Sequence, residues 1–170
     1  MTLFVLDASV AAKWFLSAKD ERLTNEALAL FERYKQGEVR FIIPDLFWAE
    51  LASAFWKAIR LGRFDQSSAL EALKYLANCD LPAYSTEALL DRAFQIATTF
   101  GRSVYDSLYV ALAVQSRASL ITADERLANV ERDCKVRLSD AAVEAQKLRA
   151  DTLQSTQVEI ERIRRDARTE

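Results

Sequence analysis

The sequence predicts an α/β domain built on a mainly parallel sheet, and three observations lead to this prediction. Short apolar runs at residues 3–6, 39–43 and 119–122 are typical of strands that a parallel sheet covers on both faces. Longer stretches with apolar residues at helical spacing separate these runs. The 170 residues are 51% hydrophobic, with three glycines and two prolines, which favours one compact core with long helices.

The first strand leads into a predicted βαβ unit. Residues 23–34 repeat apolar side chains at helical spacing as far as Gly37, and glycine commonly ends helices. The run 39–43 follows as the second strand, and Asp45 after it is predicted to cap the next helix.

That next helix, at residues 46–61, is apolar almost all round. Its polar residues, Glu50, Ser53, Lys57 and Arg60, fall within about 80° of each other if each residue turns the helix by about 100°. The core or another chain must therefore cover most of this helix.

The rest of the chain is predicted to be mainly helical. Helices are expected at residues 66–78, 86–100 and 105–116, with a short edge strand at 79–82 and a last strand at 135–138. Ser139 and Asp140 would then cap a charged helix that reaches Arg168. The predicted organisation is a domain at residues 1–139 followed by a helical extension at 140–170.

The extension carries a heptad-like stripe made of Leu153, Thr156, Ile160, Ile163 and Ala167. Its length leaves two alternatives open, a contact with another chain and a solvated helix.

The residue types exclude several kinds of chemistry. The chain has no histidine, which excludes Ser-His-Asp and Cys-His hydrolases and nearly every catalytic zinc site. Cys79 and Cys134 are isolated, so two buried thiols are favoured over structural zinc or a disulfide. No basic leader and no run of eighteen apolar residues occurs, so we expect a cytoplasmic protein with no membrane span.

The net charge of −2 weakly opposes a nucleic-acid substrate, because proteins that grip phosphates usually carry a basic surplus. A local basic patch, or a metal ion in an acidic pocket, could still bind phosphate.

Four acids, Asp7, Glu50, Asp106 and Asp124, are expected to meet at one edge of the sheet. Asp7 and Asp124 follow strands, and ligands of open parallel sheets gather at the carboxyl ends of strands. Asp106 shares a core-facing helical side with Val110 and Ala113, which would point it towards that edge.

Each acid also has a plainer interpretation. Asp7, with Ser9, could cap a helix, and Asp106 could do the same. Asp124 lies in a possible Thr-x-x-Glu capping box that begins at Thr122. Glu50 could simply pair with Lys57 or Arg60 on its own helix.

A cluster of carboxylates favours a cation. Two unit charges about 4 Å apart repel by about 4 kcal/mol at an effective dielectric of about 20, and a divalent ion reverses that sign. Acidic oxygen ligands without histidine suit a hard ion such as Mg²⁺, so we predict metal-assisted hydrolysis of a phosphodiester.

Four segments, taken in order, resemble the motifs of PIN-domain ribonucleases, and in particular the VapC toxins. They are Val-Leu-Asp-Ala-Ser at 5–9, Pro-Asp-Leu at 44–46 with Glu50, Tyr-Asp-Ser-Leu-Tyr-Val-Ala-Leu-Ala at 105–113 and Thr-Ala-Asp-Glu-Arg-Leu at 122–127. The resemblance covers residues 3–138, and the long helix after Asp140 extends beyond it.

The resemblance implies a three-layer α/β/α sandwich and a Mg²⁺- or Mn²⁺-dependent endoribonuclease. It also implies a homodimer and a small antitoxin bound near residues 46–64. The positions that match the family's catalytic, metal-binding quartet are Asp7, Glu50, Asp106 and Asp124, with Ser9 and Thr122 in support.

Our hypothesis is that Asp7, Glu50 and Asp106 ligate the principal ion and that Asp124 completes the site or holds a second ion. Lys13, Arg102 and Arg126 are candidates to steer phosphate only because they lie near the motifs.

Three other functions compete with this hypothesis. A receiver domain needs a paired acid after its first strand and a lysine at the end of a late strand, and neither is evident in the sequence. Aspartyl-phosphate phosphatases need Asp-x-Asp, and here the corresponding residues are Asp7-Ala8-Ser9. A non-catalytic binding or scaffold module with the same fold stays open.

Overall fold

The computed structural model describes residues 2–16 and 23–166, with side chains as far as Glu161. Its strands are β1 (Thr2–Leu6), β2 (Val39–Pro44), β3 (Ala83–Tyr84) and β4 (Ser119–Ile121). Its helices are α1 (Ala8–Lys13), α2 (Thr24–Lys35), α3 (Phe47–Arg60), α4 (Gln66–Ala77), α5 (Thr86–Phe100), α6 (Val104–Ser116) and α7 (Glu125–Asp166).

The strands form one parallel sheet in the order β3-β2-β1-β4. After β1 the chain adds β2 and β3 on one side and then returns to place β4 on the other. Leu6 therefore pairs with Ile121, and the carboxyl ends of β1 and β4 lie side by side where the strand order reverses. This is the position at which parallel sheets bind ligands, and the predicted α/β sandwich with a parallel sheet is confirmed.

Helix α6 is the central helix of the core. Residues 107–113 are all buried, and α6 packs against β1, β2, β4 and α5. A helix that is apolar all round can be stable only when it is covered in this way. Its first turn, which carries Asp106, emerges at the carboxyl edge of the sheet.

Helix α3 buries one face and exposes another. Phe47, Leu51 and Phe55 are buried, whereas Trp56 and Leu61 are each 58% exposed. The core of this chain therefore covers only part of the apolar surface that the sequence predicted to be covered.

The predicted cap of α3 by Asp45 is wrong. No side chain caps this helix at Leu46. The Asp45 carboxylate instead accepts hydrogen bonds from the backbone N–H (3.1 Å) and the hydroxyl group of Thr86, so it ties the end of β2 to the start of α5.

Two predicted strands are also corrected. The edge strand expected at residues 79–82 lies slightly later, as β3 at Ala83–Tyr84. Residues 135–138 lie inside α7, so Ser139 and Asp140 do not begin a helix. The reason is that residues 125–166 contain no glycine or proline, so a helix that starts at Glu125 meets no local signal to stop.

The chain divides into two compact units, Met1–Arg132 and Asp133–Glu170. In the second unit, residues 136–161 are exposed throughout. The side chain of Ile163 and all of Ala167 and Arg168 lie outside the described residues. The division after residue 139 stays a prediction, as does a role for the heptad-like stripe.

Two smaller expectations can be compared with the structure. Cys134 is buried, but Cys79 is only half-buried, and neither forms a disulfide. Within residues 2–16 and 23–166, no helix combines the length and hydrophobicity that a membrane span needs.

Candidate acidic active site

Asp7 follows β1 and is fixed on three sides. Its backbone N–H donates to the Ile121 carbonyl (3.0 Å), which continues the pairing of β1 with β4. One carboxylate oxygen accepts the Ser9 N–H (3.0 Å) and so caps α1, and the other accepts the Thr122 hydroxyl (2.5 Å). Burial raises the pKa of Asp7 despite these hydrogen bonds. The capping role is therefore real, but it uses only one of the two oxygens.

Glu50 lies in the first turn of α3 and accepts the Tyr109 hydroxyl at 2.5 Å. Burial is the main cause that raises the pKa of Glu50, and the charges of Asp7 and Asp106 add to it. The same contact and the burial of the phenol raise the pKa of Tyr109, so this group stays a hydrogen-bond donor. Glu50 therefore contacts Tyr109 rather than Lys57 or Arg60 of its own helix.

Asp106 does not cap α6, because Ser103 does so: the Ser103 hydroxyl oxygen accepts the Asp106 N–H at 3.0 Å. The Asp106 carboxylate is thus available for other contacts. Arg102 reaches it with Nη2 at 3.3 Å, and the same nitrogen lies 2.9 Å from Asp124. One guanidinium group therefore bridges two of the four acids.

Asp124 caps α7 with the oxygen that Arg102 does not contact. That oxygen accepts the backbone N–H groups of Arg126 (2.8 Å) and Leu127 (3.3 Å). The possible capping box at Thr122 is not formed. The Thr122 hydroxyl instead donates to Asp7, and its oxygen accepts the Asp124 N–H at 3.0 Å.

Ser9 is the second predicted supporting residue. Its hydroxyl oxygen accepts the Ala123 N–H at 3.2 Å, which holds the loop after β4 against the start of α1. Ser9 and Thr122 therefore tie the carboxyl ends of the two central strands to each other.

The four acids form one connected group. The charge of Asp106 raises the pKa of both Asp7 and Glu50, so these three carboxylates lie close enough to repel one another. Arg102 joins Asp106 to Asp124. The acids that are far apart in sequence thus come together where strand order reverses.

The donor set fits a hard divalent ion in its chemistry. Carboxylate and hydroxyl oxygens are the ligands that Mg²⁺ and Mn²⁺ prefer, and burial together with the neighbouring acids raises the pKa values of Asp7 and Glu50. In the part of the chain that is described, however, no group of three or more acidic or thiol side chains is arranged to hold a metal ion. Arg102 lies at this edge and contacts two of the acids.

Sequence reasoning missed two contributors and undervalued a third. Tyr109 and Ser103 were not singled out, and Arg102 was considered only because it lies near a motif. A signal existed for two of them. Arg102 lies four residues before Asp106, which is close enough in sequence for their side chains to meet. A tyrosine on a strongly apolar helix needs a partner for its hydroxyl group.

Comparison with known proteins identifies related sequences. The PIN domain family matches residues 4–133. The ribonuclease VapC3 of Pyrobaculum aerophilum is 32% identical over 130 residues, which is 73% of this chain and 91% of that protein. The ribonuclease VapC9 of Mycobacterium tuberculosis is 34% identical over 93 residues, 53% of this chain and 69% of that protein.

A solved structure supports the fold independently. The crystal structure of PAE2754 from Pyrobaculum aerophilum superimposes with a TM-score of 0.60 at 23% identity, covering 82% of this chain and 90% of that one.

Proposed function

The chain belongs to the PIN domain family, among the VapC ribonucleases, and from this premise we propose that it is a metal-dependent endoribonuclease, the toxin of a toxin–antitoxin pair. The reaction is hydrolysis inside an RNA chain: a water oxygen bonds to phosphorus, and the bond from phosphorus to the leaving oxygen breaks. The observation that carries the proposal is the single network of four carboxylates at the reversal point of the sheet.

The proposed ligands of the principal ion are Asp7, Glu50 and Asp106, and Asp124 completes the site or serves a second ion. The ion is Mg²⁺ or Mn²⁺. The raised pKa values of Asp7 and Glu50 support this assignment, since a cation would stabilise their ionised forms.

When bound, the ion lowers the pKa of a water molecule and offsets the charge that develops at phosphorus. The chain's own residues orient the carboxylates for this work. Thr122 and Ser9 fix Asp7, and Tyr109 fixes Glu50. In a histidine-free chain, no imidazole can act as the base.

The proposed protein partner is a small antitoxin bound along residues 46–64. Trp56 on α3 and Leu61 directly after it support this proposal, because both are large apolar side chains that are 58% exposed, as is typical of a contact surface. A homodimer and a cytoplasmic location belong to the same proposal.

A second candidate is a PIN-fold binding module that does not cleave. One observation favours it: within residues 2–16 and 23–166, the acids are not arranged to hold a metal ion, and Arg102 lies between two of them.

An RNA cleavage assay separates the two candidates. The wild-type protein, freed of antitoxin, should cleave a mixed-sequence RNA with Mg²⁺ or Mn²⁺ and stop when EDTA is added. Asp7→Asn and Asp106→Asn should abolish cleavage while circular dichroism reports an unchanged fold. Cleavage that survives EDTA or either substitution contradicts the metal mechanism, and a wild type that never cleaves supports the binding module.

A further inference from the structure

A basic pocket lies beside the acidic site. It has a volume of about 280 Å³ and lies between α1 and α3. Three cations, Lys13, Lys57 and Arg63, line it, and among the described residues no acid does. Its remaining walls are small or aliphatic, mostly alanine and leucine, with one serine. A chain with a net charge of −2 thus gathers positive charge at this place.

The end of α3 explains why Arg63 faces this pocket. Gly62 has a positive φ of 66°, its N–H donates to the Ile59 carbonyl (2.9 Å), and the next N–H, from Arg63, donates to Ala58 (2.9 Å). This pair of hydrogen bonds is the Schellman motif, which reverses the chain at a helix end. The reversal returns Arg63 towards the last turns of α3, where Lys57 lies.

The charges on Lys57 and Arg63 are available. Both residues are exposed, and within the described part of the chain neither forms an ion pair. Arg60 differs from them although it lies at the same helix end. Its guanidinium group lies over the Trp56 ring, 5.0 Å from the centroid, and it does not line the pocket.

The pocket and the acidic site are joined through Ser9. Ser9 and Ala123 both line the pocket, the Ser9 hydroxyl accepts the Ala123 N–H, and the Ser9 N–H donates to Asp7. Along α3, Lys57 follows Glu50 by two helical turns, which is about 10 Å. If one phosphate of an RNA chain lies at the acids, a neighbouring nucleotide of the same chain would therefore lie at this pocket.

We propose that this pocket binds backbone phosphates of a single-stranded RNA segment next to the cleaved bond. The proposal rests on the ribonuclease function above and adds the path of the substrate. The pocket walls contain cations that attract phosphate but no aromatic ring for stacking and few groups that could read a base edge. Binding here is therefore independent of base sequence.

The test measures binding without cleavage. Fluorescence anisotropy of a short labelled RNA is recorded in EDTA over a range of KCl concentrations. Lys57→Gln and Arg63→Gln should each weaken binding several-fold and reduce the slope of log affinity against log salt by about 0.7. Arg60→Gln is the matched control, since it removes the same charge from the same helix end and should leave the slope unchanged. All three residues are exposed, so each variant should fold.

Other results overturn the proposal. If all three substitutions weaken RNA binding equally, the affinity depends only on the total charge of the protein and the pocket has no specific role. A polyglutamate peptide that binds as tightly as RNA, with the same losses, would assign the pocket to an acidic protein segment. The two proposals can fail separately. A wild type that binds RNA through this pocket but does not cleave it would contradict only the ribonuclease function. An active enzyme whose variants all bind RNA equally well would contradict only the pocket.

Discussion

The four carboxylates fall into two pairs that the fold holds by different means. Asp7 and Glu50 each accept a hydrogen bond from a neutral hydroxyl group, and we call them the hydroxyl-held pair. Asp106 and Asp124 share the guanidinium group of Arg102, and we call them the arginine-held pair. The two pairs come from neighbouring elements at one edge of the sheet, yet the side chains that hold them differ in charge.

This difference determines what an incoming ion would meet. Burial raises the pKa values of both members of the hydroxyl-held pair, because it removes water from their ionised forms, and the charge of Asp106 adds to the effect. The arginine-held pair is partly compensated already, so a divalent ion must compete with Arg102 there. If an ion binds as proposed, the first pair would therefore attract it, and Asp106 would ligate it only after its ion pair with Arg102 breaks.

Among the effects that this comparison predicts, the largest comes from removing the hydrogen bonds that link the two pairs. The Thr122 hydroxyl donates to Asp7 while its oxygen accepts the Asp124 N–H. Thr122→Val keeps the shape and removes both bonds, so RNA cleavage at saturating Mn²⁺ should fall by about 10- to 100-fold, as for other residues that orient metal ligands. The measurement is kcat on a fluorogenic RNA.

Thr98→Val is the matched control for that substitution. Thr98 is exposed on α5 and bonds only to carbonyl groups of its own helix. Equal activity of the two variants would mean that the Thr122 hydroxyl does not orient the acids.

A smaller effect should follow when the arginine-held pair loses its cation. Arg102→Met leaves Asp106 and Asp124 uncompensated, so the metal-free protein should be destabilised by about 1 kcal/mol and Mn²⁺ should bind about fivefold more tightly. Thermal unfolding in EDTA and titration calorimetry measure the two changes.

The control here is Arg126→Met, because Arg126 contributes only its backbone N–H to Asp124. Weaker Mn²⁺ binding in Arg102→Met would contradict the competition and would mean that the guanidinium holds the acids in place for the ion.

The positions of the acids and the contacts that hold them differ in how far the sequence predicts them. The strand before Asp7 is a local apolar run, so its end, and the acid that follows it, can be located from neighbouring residues alone. The contacts that hold the acids are not local. Tyr109 and Glu50 are 59 residues apart, and Arg102 and Asp124 are 22 apart, so their meeting depends on how α6 packs against the sheet.

The failure at residues 135–138 has the opposite cause. There the local pattern of alternating apolar residues fits a strand, but a strand needs a partner and a preceding turn. Because α7 begins at Glu125 and no helix-breaking residue follows, helix propagation prevails over the short alternating pattern. For Glu50, only the family resemblance displaced the plainer interpretation, since its helix offers no pattern that distinguishes a ligand from a surface acid.

The smallest predicted effect concerns the stability of the metal-free protein, where the two pairs should respond with opposite signs. Asp7→Asn should stabilise the protein at about pH 7, because it removes a buried charge that costs free energy. Asp124→Asn should destabilise it by up to about 1 kcal/mol, because the ion pair with Arg102 is lost while asparagine can still cap α7.

The sign at Asp7 follows from its raised pKa. Protonated Asp7 favours the folded state, so its contribution is fully present below the ordinary carboxyl pKa of 3.8 and is lost as pH rises through the higher folded-state pKa. The stability gained by Asp7→Asn should therefore shrink as the pH is lowered towards about 4. Urea unfolding in EDTA at both pH values measures it. If Asp7→Asn destabilises the metal-free protein at neutral pH as Asp124→Asn does, the hydroxyl-held pair is compensated after all, and the proposed contrast between the two pairs is wrong.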